Sequence, residues 1–350
     1  MSADLAEAQV IEALSHVIEP ELHRDLVALK MVRDVRIDDG VVKFTIVLTT
    51  PACPMKDEIE STARAAVMAL PGAKDVEVTL DSSVPSDPRL VGKMDIGVKN
   101  AVAVASGKGG VGKSTIAVNL ALSLANNGAS VSLLDADIYG PNIPMMMGVN
   151  ERPHSVNNRI QPVMGHGVKL MSMGFLIDEG APVIWRGPMI HSALCQFLGE
   201  VDWGDPDYLV VDLPPGTGDA SLSLAQSLSL TGVVIITTPQ DVALADVSKS
   251  IAMFDQLEVP VLGVVENMSY FICEHCGQQT DIFGHGGGQA LAERMKVPFL
   301  GEVPLDTVVR VGGDCGHPVV ASNPESPAAQ AIAQIASKVA ATISVRDLLA

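Results

Sequence analysis

Aromatic side chains make up only 3% of the 350 residues, and 23 Lys and Arg face 41 Asp and Glu. Proteins that bind single-stranded nucleic acid stack bases on aromatics along a basic groove, so that class is disfavoured. The formal net charge of −18 argues equally against duplexes and anionic bilayers as main partners, because both recruit clusters of Lys and Arg. Five cysteines are an odd number for a disulfide framework, and a chain of this length does not need one. No apolar run approaches the ~20 residues that span a bilayer. The opening stretch Met1-Ser2-Ala3-Asp4-Leu5-Ala6-Glu7 lacks the basic start and apolar run of a secretory leader. The expectation is a reduced, cytoplasmic protein with no nucleic acid and no membrane as partner.

Hydrophobic residues form 47% of the chain, enough for one large core and one small one. In residues 1–82, the period of Leu5, Val10, Ile11, Leu14 and Ile18 predicts a helix ending before Pro20. The runs Val32 to Ile37 and Val41 to Leu48 flank Asp38-Asp39-Gly40, a hairpin signal. A helix from about Pro54 to Leu70 and a strand from Val76 to Leu80 complete a small α+β domain. Residues 83–98 open with Ser83-Val84-Pro85-Ser86-Asp87-Pro88, a linker composition. From residue 99 to residue 350, apolar strands alternate with helical stretches: Ala101–Ala105, Val131–Leu134, Tyr208–Val211, Val233–Thr237 and Val261–Val265, with a short one near Phe299–Val303. Such runs suit an α/β fold with a mostly parallel sheet flanked by helices.

Between the first of these strands and the helical stretch Ile116–Ala125 lies Gly107-Lys108-Gly109-Gly110-Val111-Gly112-Lys113-Ser114-Thr115. This is the strand–loop–helix setting of a P-loop, which makes the fold that of a P-loop NTPase. Its glycines let backbone N–H groups converge on an anion at a helix N-terminus. Lys113 is expected on the β- and γ-phosphates of ATP, and the Ser114 hydroxyl on Mg²⁺. Asp212, at the end of Tyr208–Val211, is expected near Mg²⁺, followed by a glycine loop to Asp219. Asp135 and Asp137 follow Val131–Leu134; one of them is expected to place or activate the attacking water, with Asp137 the first candidate and Asp135 the second.

Cys273-Glu274-His275-Cys276 sets two thiols on one turn. Alone, such a pair is open to several readings: a redox dithiol, half a zinc site, half a cluster site, or two idle thiols. A four-thiolate site needs two such pairs, which a two-fold dimer supplies. Lys108, one residue after the first glycine, resembles the early lysine of the deviant P-loops in nitrogenase iron protein and in the septum-site, plasmid-partition and arsenite ATPases. That resemblance implies a homodimer, with Lys108 reaching the partner's nucleotide.

Taken together, Ser106–Thr115, Asp135–Asn142, Asp212–Asp219 and Asn267–Cys276 resemble the Mrp/ApbC family of ATPases that carry iron–sulfur clusters. Leu48-Thr49-Thr50-Pro51-Ala52-Cys53-Pro54 is similar to the iron–sulfur assembly domain often fused to them. The resemblance covers nearly the whole chain. It implies a [4Fe-4S] cluster bridged by Cys273 and Cys276 of two subunits and passed to apo-proteins, with cluster donors as further partners. It also implies that Asn267 contacts adenine and that Gly301–Asp306 helps close that pocket. Zinc at the same thiols, clasping the dimer of a septum-site-like positioning ATPase, is the alternative. A dedicated metallochaperone would show His-rich or repeated Cys tracts, which are absent here.

Other residues carry weaker signals. Cys53 precedes a helix whose dipole can lower a thiol pKa, which leaves open a reactive or metal-touching thiol and, equally, a small buried residue. Cys195 is expected in the core, and Met145-Met146-Met147 reads as plastic apolar packing. Cys315 has little support as a ligand. His285 lies in a glycine run that lacks the lysine and Ser/Thr of a P-loop.

Overall fold

The computed structural model describes residues 5–90, 97–138, 140–176, 187–218, 221–222, 225–226, 230–273 and 275–349. Tyr139, Asp219 and Glu274, which belong to the motifs above, lie outside them. The chain divides into two compact units, one of Met1–Pro85 with Ala340–Ala350 and the other of Ser86–Val339. The larger sequence-derived domain, 99–350, thus includes a C-terminal stretch that groups with the smaller unit.

In the smaller unit, helix α1 (Glu7–Leu14) is followed by the antiparallel pair β1 (Ile18–Glu19) and β2 (Arg24–Asp25). The helix therefore stops before Ile18. Val17 and Ile18 are β-branched and Glu19 precedes Pro20, and both features disfavour another helical turn. Strands β3 (Val32–Asp38) and β4 (Val41–Leu48) form the expected hairpin. Its two turn residues, Asp39 and Gly40, have φ of 49° and 86°, as a type I′ turn requires. Helix α2 (Lys56–Met68) then leads to β5 (Asp75–Ser82), which lies parallel to β4. Val42, Phe44, Ile46 and Leu48 on β4 share a buried core with Ile59, Ala63 and Val67 on α2. These are the period-2 stripe of a strand and the i, i+4, i+8 stripe of a helix.

The larger unit is built on one mixed sheet. Its first elements are β6 (Asn100–Ser106), α3 (Lys113–Asn126), β7 (Val131–Asp135) and the short α4 (Ile143–Met146). An antiparallel pair, β8 (His154–Val156) and β9 (Arg159–Gln161), precedes β10 (Val163–Gly165) and β11 (Val168–Ser172). Then come α5 (Gly187–Glu200), β12 (Tyr208–Asp212), β13 (Gly232–Thr237), α6 (Asp241–Gln256) and β14 (Val261–Ile272). The last elements are β15 (Gln279–Thr280), α7 (Gly287–Met295), β16 (Phe299–Leu305), α8 (Thr307–Cys315), α9 (Val319–Ser322) and α10 (Pro327–Leu349).

Strand order is β10-β11-β7-β12-β6-β13-β14-β15, with β16 also pairing β14. Among the described residues, the antiparallel pairs of this sheet are β10–β11 and β14–β15. Every residue of β6, β7, β12 and β13 is buried, which is why these strands read as unbroken apolar runs. Strand β6 lies between β12 and β13, so its C-terminal end opens at the crevice where ligands of such sheets bind. Strand β14 continues past the expected end at Val265 to Ile272, with an irregular register against β16 between Asn267 and Phe271. Met268 there has φ of 55°. The polar Asn267 and Ser269 interrupt the apolar run and hide the extension. Among the described residues, no helix is long and apolar enough to cross a membrane.

Candidate nucleotide site and cysteine turn

Residues 107–112 connect the C-terminal end of β6 to the N-terminus of α3. Gly112 is the N-cap, in the left-handed region at φ 83°. A Cβ on it would run into the Asn267 side-chain amide, and one on Gly107 would run into the α6 backbone at Asp246 and Val247. Both positions thus need glycine, one for conformation and close approach, the other for close approach alone. Gly109 and Gly110 are exposed, and Val111 is buried. Lys108 is half-buried, and its carbonyl accepts a bond from Ser106 Oγ at 2.9 Å. Thr115 lies in the first turn of α3, where its carbonyl accepts from Asn119 Nδ2 at 2.8 Å.

Lys113 and Ser114 turn inward together. Lys113 Nζ donates to Asp212 Oδ1 at 2.6 Å and lies 3.6 Å from Asp137 Oδ2, with the lysine side chain only 6% exposed. Ser114 Oγ donates to Asp212 Oδ2 at 2.6 Å. One cation is therefore shared by two carboxylates, Asp212 at the end of β12 and Asp137 just past the end of β7. Burial raises the Asp212 carboxyl even against the pull of Lys113 and Ser114. Asp135 is its register partner on β7. Burial, with the Asp212 charge beside it, raises the Asp135 carboxyl as well. Two adjacent buried carboxylates do not both ionise readily. The second one is relieved when a cation or a proton joins them.

Ser114 and Asp212 place two oxygens side by side at the helix N-terminus, a hard-oxygen set suited to Mg²⁺. Beside the loop lies a cavity of about 210 Å³, lined by Gly112, Thr115, Asn267, Met268 and Arg310 among others. Asn267 Nδ2 donates to the Val111 carbonyl at 2.8 Å, which ties β14 to the phosphate loop. Pro304, Leu305 and Asp306, from the stretch expected to close the pocket, line the same cavity.

At its other end β14 delivers the cysteine pair. Phe271 and Ile272 pair with Thr280 and Gln279 of β15, and the intervening turn is closed by Cys273 N to Gln278 O at 3.0 Å and Gly277 N to Cys273 O at 2.8 Å. Cys273 is half-buried and Cys276 exposed. Among the described residues, no three His, Cys, Asp or Glu side chains are grouped to hold a metal ion. The base of this excursion is held by Glu266. Its buried carboxylate accepts from Ser269 Oγ at 2.6 Å, Gly286 N at 2.9 Å and Gly288 N at 2.5 Å.

Comparison with known proteins agrees with this geometry. Residues 97–340 match the family described as NUBPL iron-transfer P-loop NTPase, and residues 7–80 match a family of iron–sulfur cluster assembly proteins. The chain belongs to the iron-transfer P-loop NTPases. An iron–sulfur cluster carrier protein of Synechocystis is 50% identical over 347 residues, covering 97% of this chain and 98% of the relative. The carrier protein of Escherichia coli K12 is 44% identical, covering 98% and 94%. A nucleotide-binding protein of Archaeoglobus fulgidus, solved with ADP, is 40% identical with a TM-score of 0.58, covering 66% of this chain and 90% of that one. The cell-division ATPase MinD of Pyrococcus furiosus shares the fold at 24% identity and a TM-score of 0.54, covering 69% and 98%.

In this P-loop NTPase, Lys113, Ser114, Asp137 and Asp212 meet at one point, and Asn267 reaches the same loop. Cys273 and Cys276 lie apart from them, past the far end of β14. The other thiols differ. Cys53 is buried, and burial outweighs its backbone bond from Met55 to push the thiol up to about 11. Of the two readings open for Cys53, the small core residue is the one the fold gives. Cys195 is half-buried rather than core, and Cys315 is exposed. Sequence reading missed the buried Glu266 and the partners of Asp135. Glu266 sat inside an extended strand whose end was misplaced, and Ser172, one of those partners, is a lone serine at a strand end with no local signal.

Proposed function

We propose that this NTPase is an ATP-hydrolysing carrier whose cargo is a [4Fe-4S] cluster, held between Cys273 and Cys276 of two copies of the chain and passed to apo-proteins. The observation that carries the reading is the continuity of β14. Asn267 on that strand touches the P-loop, and the strand ends one residue before Cys273. The names of relatives matched along nearly their whole length support an iron–sulfur cluster as the cargo. A single chain offers one pair of cysteines in a tight turn, and four thiolates need a second copy.

On nucleotide binding, Lys113 exchanges Asp212 for the β- and γ-phosphates. Mg²⁺ would be held by Ser114 and Asp212 and would supply neutralisation of phosphate charge. Asp137 orients the attacking water. The water oxygen bonds to the γ-phosphorus as the bridging oxygen departs with ADP, and the water's proton ends on the released phosphate. Lys108 reaches the nucleotide of the partner copy, and Asn267 borders the adenine.

Anaerobic reconstitution with iron and sulfide tests the cargo. We expect visible absorbance with about two irons per subunit, both lost in Cys273→Ala/Cys276→Ala. Colourless protein with about half a zinc per subunit would leave the NTPase intact and remove the carrier reading. Lys113→Ala should abolish hydrolysis while the melting temperature shows that the variant folds. Wild-type turnover in that variant would sink the assignment of the loop.

A further inference from the structure

Across the C-terminal edge of the sheet, Ser172 on β11, Asp135 on β7 and Asp212 on β12 are register partners in one row. Asp212 is taken up by Lys113 and Ser114. Asp135 faces a different set of groups. Its Oδ1 accepts from the backbone N–H of Asp137 at 3.2 Å. Its Oδ2 accepts from Ser172 Oγ at 2.8 Å and from the N–H of Ile143 at 3.3 Å. Ser172 Oγ itself accepts from Gly174 N at 2.9 Å, which leaves the hydroxyl proton for Asp135. Asp135 and Ser172 are both fully buried.

The consequence is geometric. Asp135 holds both ends of the segment between β7 and α4, at Asp137 and at Ile143. Asp137 lies within that segment, its Oδ1 accepting from Gly140 N at 3.3 Å and its Oδ2 lying 3.6 Å from Lys113 Nζ. Helix α4 begins at Ile143, and its Met146 lines the 210 Å³ cavity beside the P-loop. One carboxylate thus connects the wall of that cavity to the residue facing the phosphate lysine.

We propose that Asp135, oriented by Ser172, is the positioning residue for hydrolysis, setting Asp137 against the phosphate end of the P-loop and tying it to the α4 wall. Asp135 touches no reacting atom. The inference rests on the water-orienting role given to Asp137 above. A group that positions the attack without holding the nucleotide acts on kcat and spares affinity.

The test is steady-state ATP hydrolysis by the full chain with Mg²⁺, alongside binding of an ATP analogue with a non-hydrolysable β–γ bridge. Asp135→Asn should lower kcat by about tenfold to a hundredfold, the range expected when one or two buried polar groups lose their partner. KM and the analogue's Kd should stay within about twofold. Ser172→Ala should lower kcat by a smaller factor in the same direction. The double variant should be no slower than Asp135→Asn alone, because both changes act through one link. A wild-type kcat in Asp135→Asn, losses that multiply in the double variant, or a fall in kcat matched by equal loss of analogue affinity would each overturn the inference. Should Asp135→Asn not fold, Ser172→Ala carries the same comparison of kcat with affinity. Wild-type hydrolysis in Asp137→Ala would instead remove the underlying reading. A strict need for Asp137 with no need for Asp135 would remove the inference alone.

Discussion

Cys53 and Cys276 are the same side chain in two settings, one in each unit of the chain. Cys53 is packed among Leu14, Phe44, Leu48 and Ile59. It borders a space of only about 10 Å³, room for a single water. Its ionised form would lose hydration with little in return, so burial holds the thiol near 11. Cys276 sits in a turn closed by backbone bonds beside Gly277, whose φ of 68° bends the chain back. Its thiol is exposed, one turn from Cys273. Both cysteines stand in sequence contexts that resemble iron–sulfur proteins. The environment separates a core residue from a thiol that a metal or a reagent can reach.

Alkylation is the sharpest way to break this contrast. At pH 8 a thiol with pKa near 11 is thiolate in about one molecule per thousand, and the thiolate is the nucleophile. Native protein treated with iodoacetamide should be modified at Cys276 more than about a hundredfold faster than at Cys53, read by peptide mass spectrometry. Comparable rates would mean that Cys53 is reached by solvent and that its burial does not govern its chemistry.

A smaller effect reads the same contrast as stability. Cys53→Ala removes a buried sulfur from a packed core and should cost about 1–2 kcal/mol in urea unfolding. Cys276→Ala alters an exposed turn position and should stay within about 0.5 kcal/mol. Equal costs would show that the turn is held by its thiol rather than by the bonds of Cys273 with Gln278 and Gly277.

The nucleotide loop was readable because its nine residues are contiguous and local geometry suffices to place them. Asp212 followed from its position at the end of an apolar strand, and the hairpin at Asp39-Gly40 followed from turn chemistry. What escaped depends on pairs far apart in the chain. Ser172 meets Asp135 across 37 positions, a spacing that periodicity cannot detect. Asn267 was expected at the nucleotide through the family resemblance, but its bond to the Val111 carbonyl, across 156 positions, was not foreseen. Cys53 is the reverse case. Its local context leaves an activated thiol and a core residue both open, and the tertiary core decides for the second.

The smallest expected effect concerns the loop that carries the exposed pair. Tyr270 and His285 bracket that loop, with ring centroids 6.1 Å apart. His285 Nε2 donates to Glu302 Oε2 at 3.0 Å, and this bond raises the imidazole pKa. A histidine whose pKa is raised on folding stabilises fully below its unfolded value, ~6.5, and loses that contribution as pH rises through the folded value. His285 is 39% exposed, so solvent screening keeps the pair to at most ~0.5 kcal/mol. Hydrogen exchange in residues 275–286, corrected for the intrinsic rate, should therefore be up to about twofold faster at pH 8.5 than at pH 5.5. Glu302→Gln should remove that difference, and exchange around Cys53 should not respond to the variant at all. A pH dependence that survives in Glu302→Gln would assign the effect to other groups near the turn and leave the ion pair without a part in holding it.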